Sequence, residues 1–380
     1  MSEIVLKGMG WNHIRAMGPV LAASEAFTSS HPSVTLRWDT RPLSDFESYP
    51  VEELARRYDI ILFDHPFVGS IAKGRWFLPL DEWISEDEME GIRKGSVGRS
   101  FESYAWNGHQ WGLPVDAACQ VMAFTGDDLD EDSGREWVTS LLQRRSTRGE
   151  YLVPLHPIHV WSLFLGLGHY IEGNTFWPLG EAISSHSGAE AYHTLRFIVR
   201  HASPFSQRND PIGILDYISS TKDSCFVPWI FGYSIYSREG VGTNRVHFRD
   251  LPIRAHAFSP AIVGGVGIGV SARTAVPQIA AEFAAFLAGE KCQTGMYWKA
   301  FGQPAHRAAW MSSELNLSTD NFFTKTLQTM ETAFMRPRFP GFPSFQETAS
   351  KILLTGLQEG RSASSVIEHM NEAFFTMCAI

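Results

Sequence analysis

Cysteine, surplus basic charge and long apolar runs are all in short supply in this 380-residue chain. The four cysteines, Cys119, Cys225, Cys292 and Cys378, form no C-x-x-C pair and have no histidines at zinc-finger spacing. That argues against a disulfide framework and a structural zinc site. Lys and Arg number 32 against 41 Asp and Glu, a formal charge of −9. Such a chain has no general attraction to nucleic acid or anionic lipid. Its most apolar stretches, Ala261–Val270 and Ile279–Ala288, fall far below the ~18–20 residues that span a bilayer, so it does not read as integral to a membrane. A Walker A loop, a G-x-S-x-G elbow and an H-E-x-x-H helix are also missing, which removes the sequence support for standard kinase, hydrolase and metalloprotease chemistry. Met1-Ser2-Glu3 leads straight into Ile4-Val5-Leu6 with no basic segment or apolar leader. Two locations follow as expectations: cytoplasmic if Met1 is the native start, periplasmic or extracellular if a leader was trimmed.

What the sequence does hold is a globular composition, 44% hydrophobic and 19% charged, with aromatics at 13%. The length exceeds the roughly 250–300 residues at which one hydrophobic core stops growing, so two lobes are expected. Twelve Trp and 26 Phe are a generous share; most must be core, but a surplus of Trp is also what a site that stacks flat ligands would contain.

The first third alternates as an α/β unit. Ile4–Leu6, Val34–Trp38 and Asp59–Phe63 read as strands of a parallel sheet, with helices over Pro19–Ser29 and Val51–Tyr58. Ligands of such sheets sit beyond the carboxyl ends of the strands. That directs attention to the turns Gly8–His13 and Asp64-His65-Pro66. Further on, Trp111–Pro114 and Val121–Thr125 read as extended chain leaving the first lobe, and Glu136–Arg200 reads as mostly helical. Phe226–Ile235 reads as an aromatic strand: core packing explains one face, and Trp229 and Tyr233 would stack on a ligand if the other face borders a cleft. Pro277–Ala288 is a helix, with Pro in its first turn and Gly289 after its end. Arg336–Phe342 is too rich in proline for a helix and reads as a strap before two amphipathic helices, Gln346–Leu357 and Ala363–Phe374.

Gly265-x-Gly267-x-Gly269 lacks the G-x-G-x-x-G spacing of a dinucleotide site and sits in a β-like run, so close approach of a backbone or ligand explains it better. His156 and His159 flank Pro157, and His13 and His65 fall on the two strand-end turns. Without a nearby carboxylate set they read as hydrogen-bonding contacts, and no metal or cofactor is expected. Cys119 reads as a small buried residue. Its functional alternative is a thiolate nucleophile with Asp64 or His65 as the base.

Several segments, in order, resemble the sugar-binding type of bacterial extracellular solute-binding proteins, the receptors of ABC importers. Tyr58–Asp64 followed by Gly74–Asp81 is similar to that family's "D-hydrophobic-D … G-x-L-x-P-L-D" segment, and Gly108–Pro114 to its "G-K-x-Y-G-L-P" hinge entry. Gly264–Ser271, Ala280–Leu287 and Gly302-Gln303-Pro304-Ala305 resemble "G-G-x-x-x-x-I-S … A-x-x-F-x-x-F-L … G-x-x-P".

The resemblance implies a type II periplasmic-binding-protein fold: two α/β lobes, a hinge and a ligand cleft at the lobe interface. The first lobe would hold 1–114 plus 262–305, the second 115–261 plus 306–380. It implies capture of a small polar metabolite, a sugar or sugar acid, for an ABC importer permease. Candidate contacts are Trp11, Asn12 and His13, Asp64 and His65, Asp116, Trp229 and Tyr233, and Gly264 and Gly265. The same fold includes thiaminase-like enzymes whose cysteine stands near the place of Cys119. Phe231-Gly232-Tyr233-Ser234 is similar to their "G-Y-S-E" segment, with Ile235 here in the Glu position. A cytoplasmic enzyme using Cys119, or Asp64 with His65, is therefore the alternative expectation.

Overall fold

A computed structural model describes residues 3–42, 49–126, 151–178, 180–251 and 259–378. The chain divides into two compact units, one of Met1–Ala118, Gly264–Leu315 and Arg338–Pro343, the other of Cys119–Val263, Asn316–Pro337 and Ser344–Ile380. The sequence places the crossings at 114, 262 and 305 and does not anticipate the short return at Arg338–Pro343.

The first unit opens β1 (Ile4–Trp11), α1 (Ile14–Ser30), β2 (Val34–Arg41), α2 (Val51–Arg57), β3 (Ile60–Phe63), α3 (Val68–Gly74) and α4 (Glu86–Gly95). β1 pairs in parallel with β2 from Ile4↔Val34 to Trp11↔Arg41 and with β3 at Gly8↔Ile60 and Met9↔Ile61. Helix α1 begins earlier than its apolar pattern suggests. His13 caps it by accepting the Arg15 N–H, and Pro19 is accommodated inside. The strand β4 (Leu113–Phe124) is buried along its whole length and carries the chain out of this unit after Ala118.

In the second unit come α5 (Pro157–Glu172), α6 (Ser185–His201), α7 (Pro211–Ser220), β5 (Phe226–Phe231) and β6 (His247–Arg249). The late part of β4 pairs antiparallel with β5 (Gln120↔Phe231 to Phe124↔Phe226, with an irregularity between Val121 and Ala123) and with β6 (Met122↔Arg249 to Phe124↔His247). Helix α5 is buried over most of its length, and Trp161 meets Phe345 and Trp177 edge-on at 5.8 and 6.0 Å. The expected strand through Ile235 stops at Phe231. A Cβ on Gly232 would stand 2.8 Å from Val121 and 3.0 Å from Phe322, and Tyr233 then opens a short 3₁₀ turn, Ser234–Ser237. The part of the expected helical region between Glu136 and Glu150 lies outside the described residues.

β7 (Val263–Val270) returns to the first unit and pairs antiparallel with β3, from Ile60↔Val270 to Phe63↔Gly267. Helix α8 (Pro277–Ala288) follows over the range its apolar face predicts. The strap at Arg338–Pro343 lies so close over α3 that a Cβ on Gly69 would come within 1.9 Å of the Arg338 carbonyl. Helices α9 (Phe342–Glu359) and α10 (Ala363–Met377) end the chain. Among the described residues no helix is long and apolar enough to cross a membrane.

Candidate functional site

In the first unit β1 and β3 are adjacent and parallel, paired at Gly8↔Ile60 and Met9↔Ile61, so the turns after these strands leave the same end of the sheet. The first turn is tightly organised. The Trp11 ring lies 5.8 Å from the His13 ring at 20°, and the Arg15 guanidinium carbon is 6.0 Å from the Trp11 centroid. Asn12 is exposed, and its backbone N–H donates to the Arg41 carbonyl at 2.8 Å. His13 accepts the Arg15 N–H on Nδ1 at 3.1 Å, which leaves Nε2 to carry the ring proton. In the second turn the Asp64 carboxylate accepts the His65 N–H at 2.8 Å and lies 3.1 Å from its ring nitrogen. His65 is buried, edge-on to Tyr104 at 6.3 Å, while Asp64 keeps 14% of its side-chain surface.

Asp116 does not point a free carboxylate at solvent. Arg15 donates to it twice, Nε to Oδ2 at 2.7 Å and Nη2 to Oδ1 at 2.5 Å, with both side chains at least 97% buried. Burial pushes the Asp116 carboxyl above its ordinary range, and the guanidinium opposes that shift. Gly264 and Gly265 begin β7 beside it. Gly265 has φ 119°, and a Cβ there would stand 2.2 Å from the Asp116 carbonyl oxygen. Only glycine fits such a backbone at such a distance.

The second unit has its own polar cluster, which the sequence did not single out as a group. His159, in the first turn of α5, is 6% exposed, with ring neighbours His156 at 6.1 Å and Phe231 at 6.3 Å. Among the described residues its ring makes no hydrogen bond. Arg336 and Gln346, each 5% exposed, approach at 3.4 Å between Nη1 and Oε1. Burial first, then His156 and Arg336, lower the His159 pKa to about 3, so the imidazole is neutral at physiological pH. A neutral imidazole can donate from one nitrogen and accept on the other, which suits a hydroxyl.

Other expected contacts sit differently. Trp229 has no accessible surface, so Trp229→Ala is a core truncation, costing about 3–5 kcal/mol of stability, rather than a probe of affinity. Tyr233 is 6% exposed and meets Tyr236 edge-on at 6.4 Å, off the strand face it was assigned. Cys119 is 3% exposed, and burial, helped by Asp250, raises its pKa well above that of an ordinary thiol. A nucleophilic cysteine needs the opposite environment. Among the described residues no group of three or more His, Cys, Asp or Glu side chains is placed to hold a metal ion.

Arg15 was missed because its partner lies 101 positions away, although its place one turn after Trp11 could have drawn notice. Arg336 and Gln346 gave no signal at all, since they join His159 only through the fold.

No protein-family model and no curated protein matches the sequence. Solved structures match its fold over nearly the whole chain. One is an ABC transporter solute-binding protein from Agrobacterium radiobacter in complex with ribitol, 16% identical, with TM-score 0.78 over 99% of each chain. Another is maltose-bound MalE3 of T. maritima, 15% identical, with TM-score 0.78 over 98% of this chain and all of that one. A third, from Thermotoga lettingae and bound with α-D-tagatose, is 11% identical, with TM-score 0.75 over 99% of this chain and 100% of that one. The chain has the mixed α/β fold of ABC-transporter sugar-binding proteins.

Proposed function

We propose that this protein is a solute-binding protein that captures a small, polar, hydroxyl-rich metabolite for an ABC importer. The observation that carries the reading is the likeness of fold along the full chain to proteins bound to ribitol, maltose and tagatose. The side chains agree with it. Asn12, His13 and Asp64 in the first unit offer donors and acceptors of the kind that pair with hydroxyls. Each neutral hydrogen bond contributes only about 0.5–1.5 kcal/mol, so recognition needs several of them. Capture for import carries a location with it, outside the cytoplasmic membrane.

Calorimetry with ribitol, other alditols, maltose and ketohexoses tests the proposal. Native mass spectrometry of protein taken from its host extends the search to unlisted solutes. One molecule bound per chain, with a raised melting temperature, is expected. No heat with any of these probes, and no small molecule travelling with the native protein, would overturn it.

A further inference from the structure

We infer that Arg15 and Asp116 are a positioning pair that sets the geometry of the Trp11–His13 turn, and that neither side chain touches the solute. The inference rests on the solute-binding reading for its consequence but on separate observations for its mechanism.

The pair is buried and bidentate, at 2.7 and 2.5 Å, with 3% and 2% of the side chains exposed. A carboxylate with almost no surface, whose two oxygens each already receive a guanidinium N–H, is closed to a ligand by its burial. Yet Arg15 reaches the turn in two other ways. Its backbone N–H donates to His13 Nδ1, which fixes the tautomer that leaves Nε2 as the donor, and its guanidinium stands over the Trp11 ring, which lies 5.8 Å from the His13 ring. The planar fork thus ties the first turn of α1 to β4. The other end of the tie is rigid as well. Ala117, next to Asp116, exchanges hydrogen bonds with Gln303, receiving its amide at 2.9 Å and donating to its carbonyl at 3.2 Å, and Gly265 lies against the Asp116 carbonyl. An ion pair that served stability alone could be exchanged for apolar side chains of similar volume without loss. A positioning pair could not.

That difference is the test. The double variant Arg15→Met/Asp116→Leu removes both charges together, and the single variant Arg15→Lys keeps the charge but loses the fork. The full chain is labelled with ¹⁵N-histidine, and the His13 resonances are identified by their loss in His13→Gln. The expected result is that the double variant melts within a few degrees of wild type. Residue 15 keeps its backbone N–H in these variants, but without the fork the first turn of α1 is no longer held against β4 in the geometry that directs that N–H at His13 Nδ1. The His13 nitrogens should therefore shift toward a mixture of tautomers, and affinity for whichever of ribitol, maltose or tagatose binds wild type should fall tenfold or more. Arg15→Lys should lie between. Unchanged His13 nitrogens in a folded double variant would overturn the inference, as would unchanged affinity. If the double variant does not fold, Arg15→Lys decides by the same resonances. If wild type binds none of the probes, the solute-binding reading fails on its own, and the His13 nitrogens still decide the role of the pair.

Discussion

The Arg15–Asp116 pair of the first unit and three buried groups of the second are accommodated in the interior by opposite means. The first buries a full charge and answers it with another, Arg15 on Asp116, in a geometry that satisfies both carboxylate oxygens. Three buried groups of the second unit are instead uncharged or partly so. His159 is lowered to about 3, Cys119 is raised well above an ordinary thiol, and Asp250, which accepts the Thr329 N–H at 2.6 Å, is raised to about 6, chiefly by burial. An isolated buried charge is far too costly to keep, so it must be paired or given up. Pairing fixes a direction and so can aim a loop. Neutrality leaves a group that responds to pH and can exchange hydrogen bonds with an uncharged guest.

The largest effect should come from breaking the paired solution on one side only. Arg15→Met strands the Asp116 carboxylate in the core, and a loss of about 3–5 kcal/mol is expected from denaturant unfolding at neutral pH. Adding Asp116→Leu should restore most of it. If the single and double variants were equally unstable, the ion pair would not be what distinguishes the first unit.

The neutral solution should show itself in pH dependence. His159 has a folded pKa far below its unfolded value near 6.5, so below that pH the unfolded chain takes up a proton that the folded one refuses. Stability then falls on acidification by about 1.4 kcal/mol per pH unit. Asp250 has the opposite sign. Its folded pKa, about 6, stands above the ordinary carboxyl value of 3.8, so the folded state holds the extra proton between these values and stability falls as pH rises through that window. Between pH 4 and 6 the two slopes oppose and nearly cancel. Asp250→Asn should expose the His159 slope, with stability lost toward pH 4, and His159→Gln the Asp250 slope, with stability lost toward pH 6. Unfolding free energies measured across that window check both signs, and parallel curves for the two variants would refute the assignment.

What could be read from the sequence follows the same division between local and distant causes. Helix Pro277–Ala288 and the strands β1, β2 and β3 are written in residues close together: a proline at a helix start, an apolar face, alternation between turns. The strand-end turns carrying Asn12, His13, Asp64 and His65 follow from that sheet. Tyr233 was misplaced because alternation was carried through Gly232, where close packing against Val121 and Phe322 ends the strand. Asp116 was picked out as a polar residue near a hinge, but its pairing with Arg15 depends on how β4 is set against α1, which no spacing records. His159 was visible and its companions Arg336 and Gln346 were not, for the same reason.

The smallest effect expected is also the cleanest probe of the solute-binding reading in the first unit. Asn12 is exposed, and among the described residues the hydrogen bond that anchors it, its N–H on the Arg41 carbonyl, belongs to the backbone. Asn12→Ala therefore keeps that bond and removes only the side-chain amide. Melting should stay within about 0.5 kcal/mol of wild type, as for surface substitutions generally. If the amide pairs with a solute hydroxyl, affinity should drop by about 0.5–1.5 kcal/mol, which calorimetry can resolve. A buried neighbour cannot give so plain an answer, because truncating Trp11 or Asp116 disturbs fold and site together. Should Asn12→Ala bind as tightly as wild type, recognition in this unit would shift to Asp64 and His13, and the exposed edge of the first turn would have no part in it.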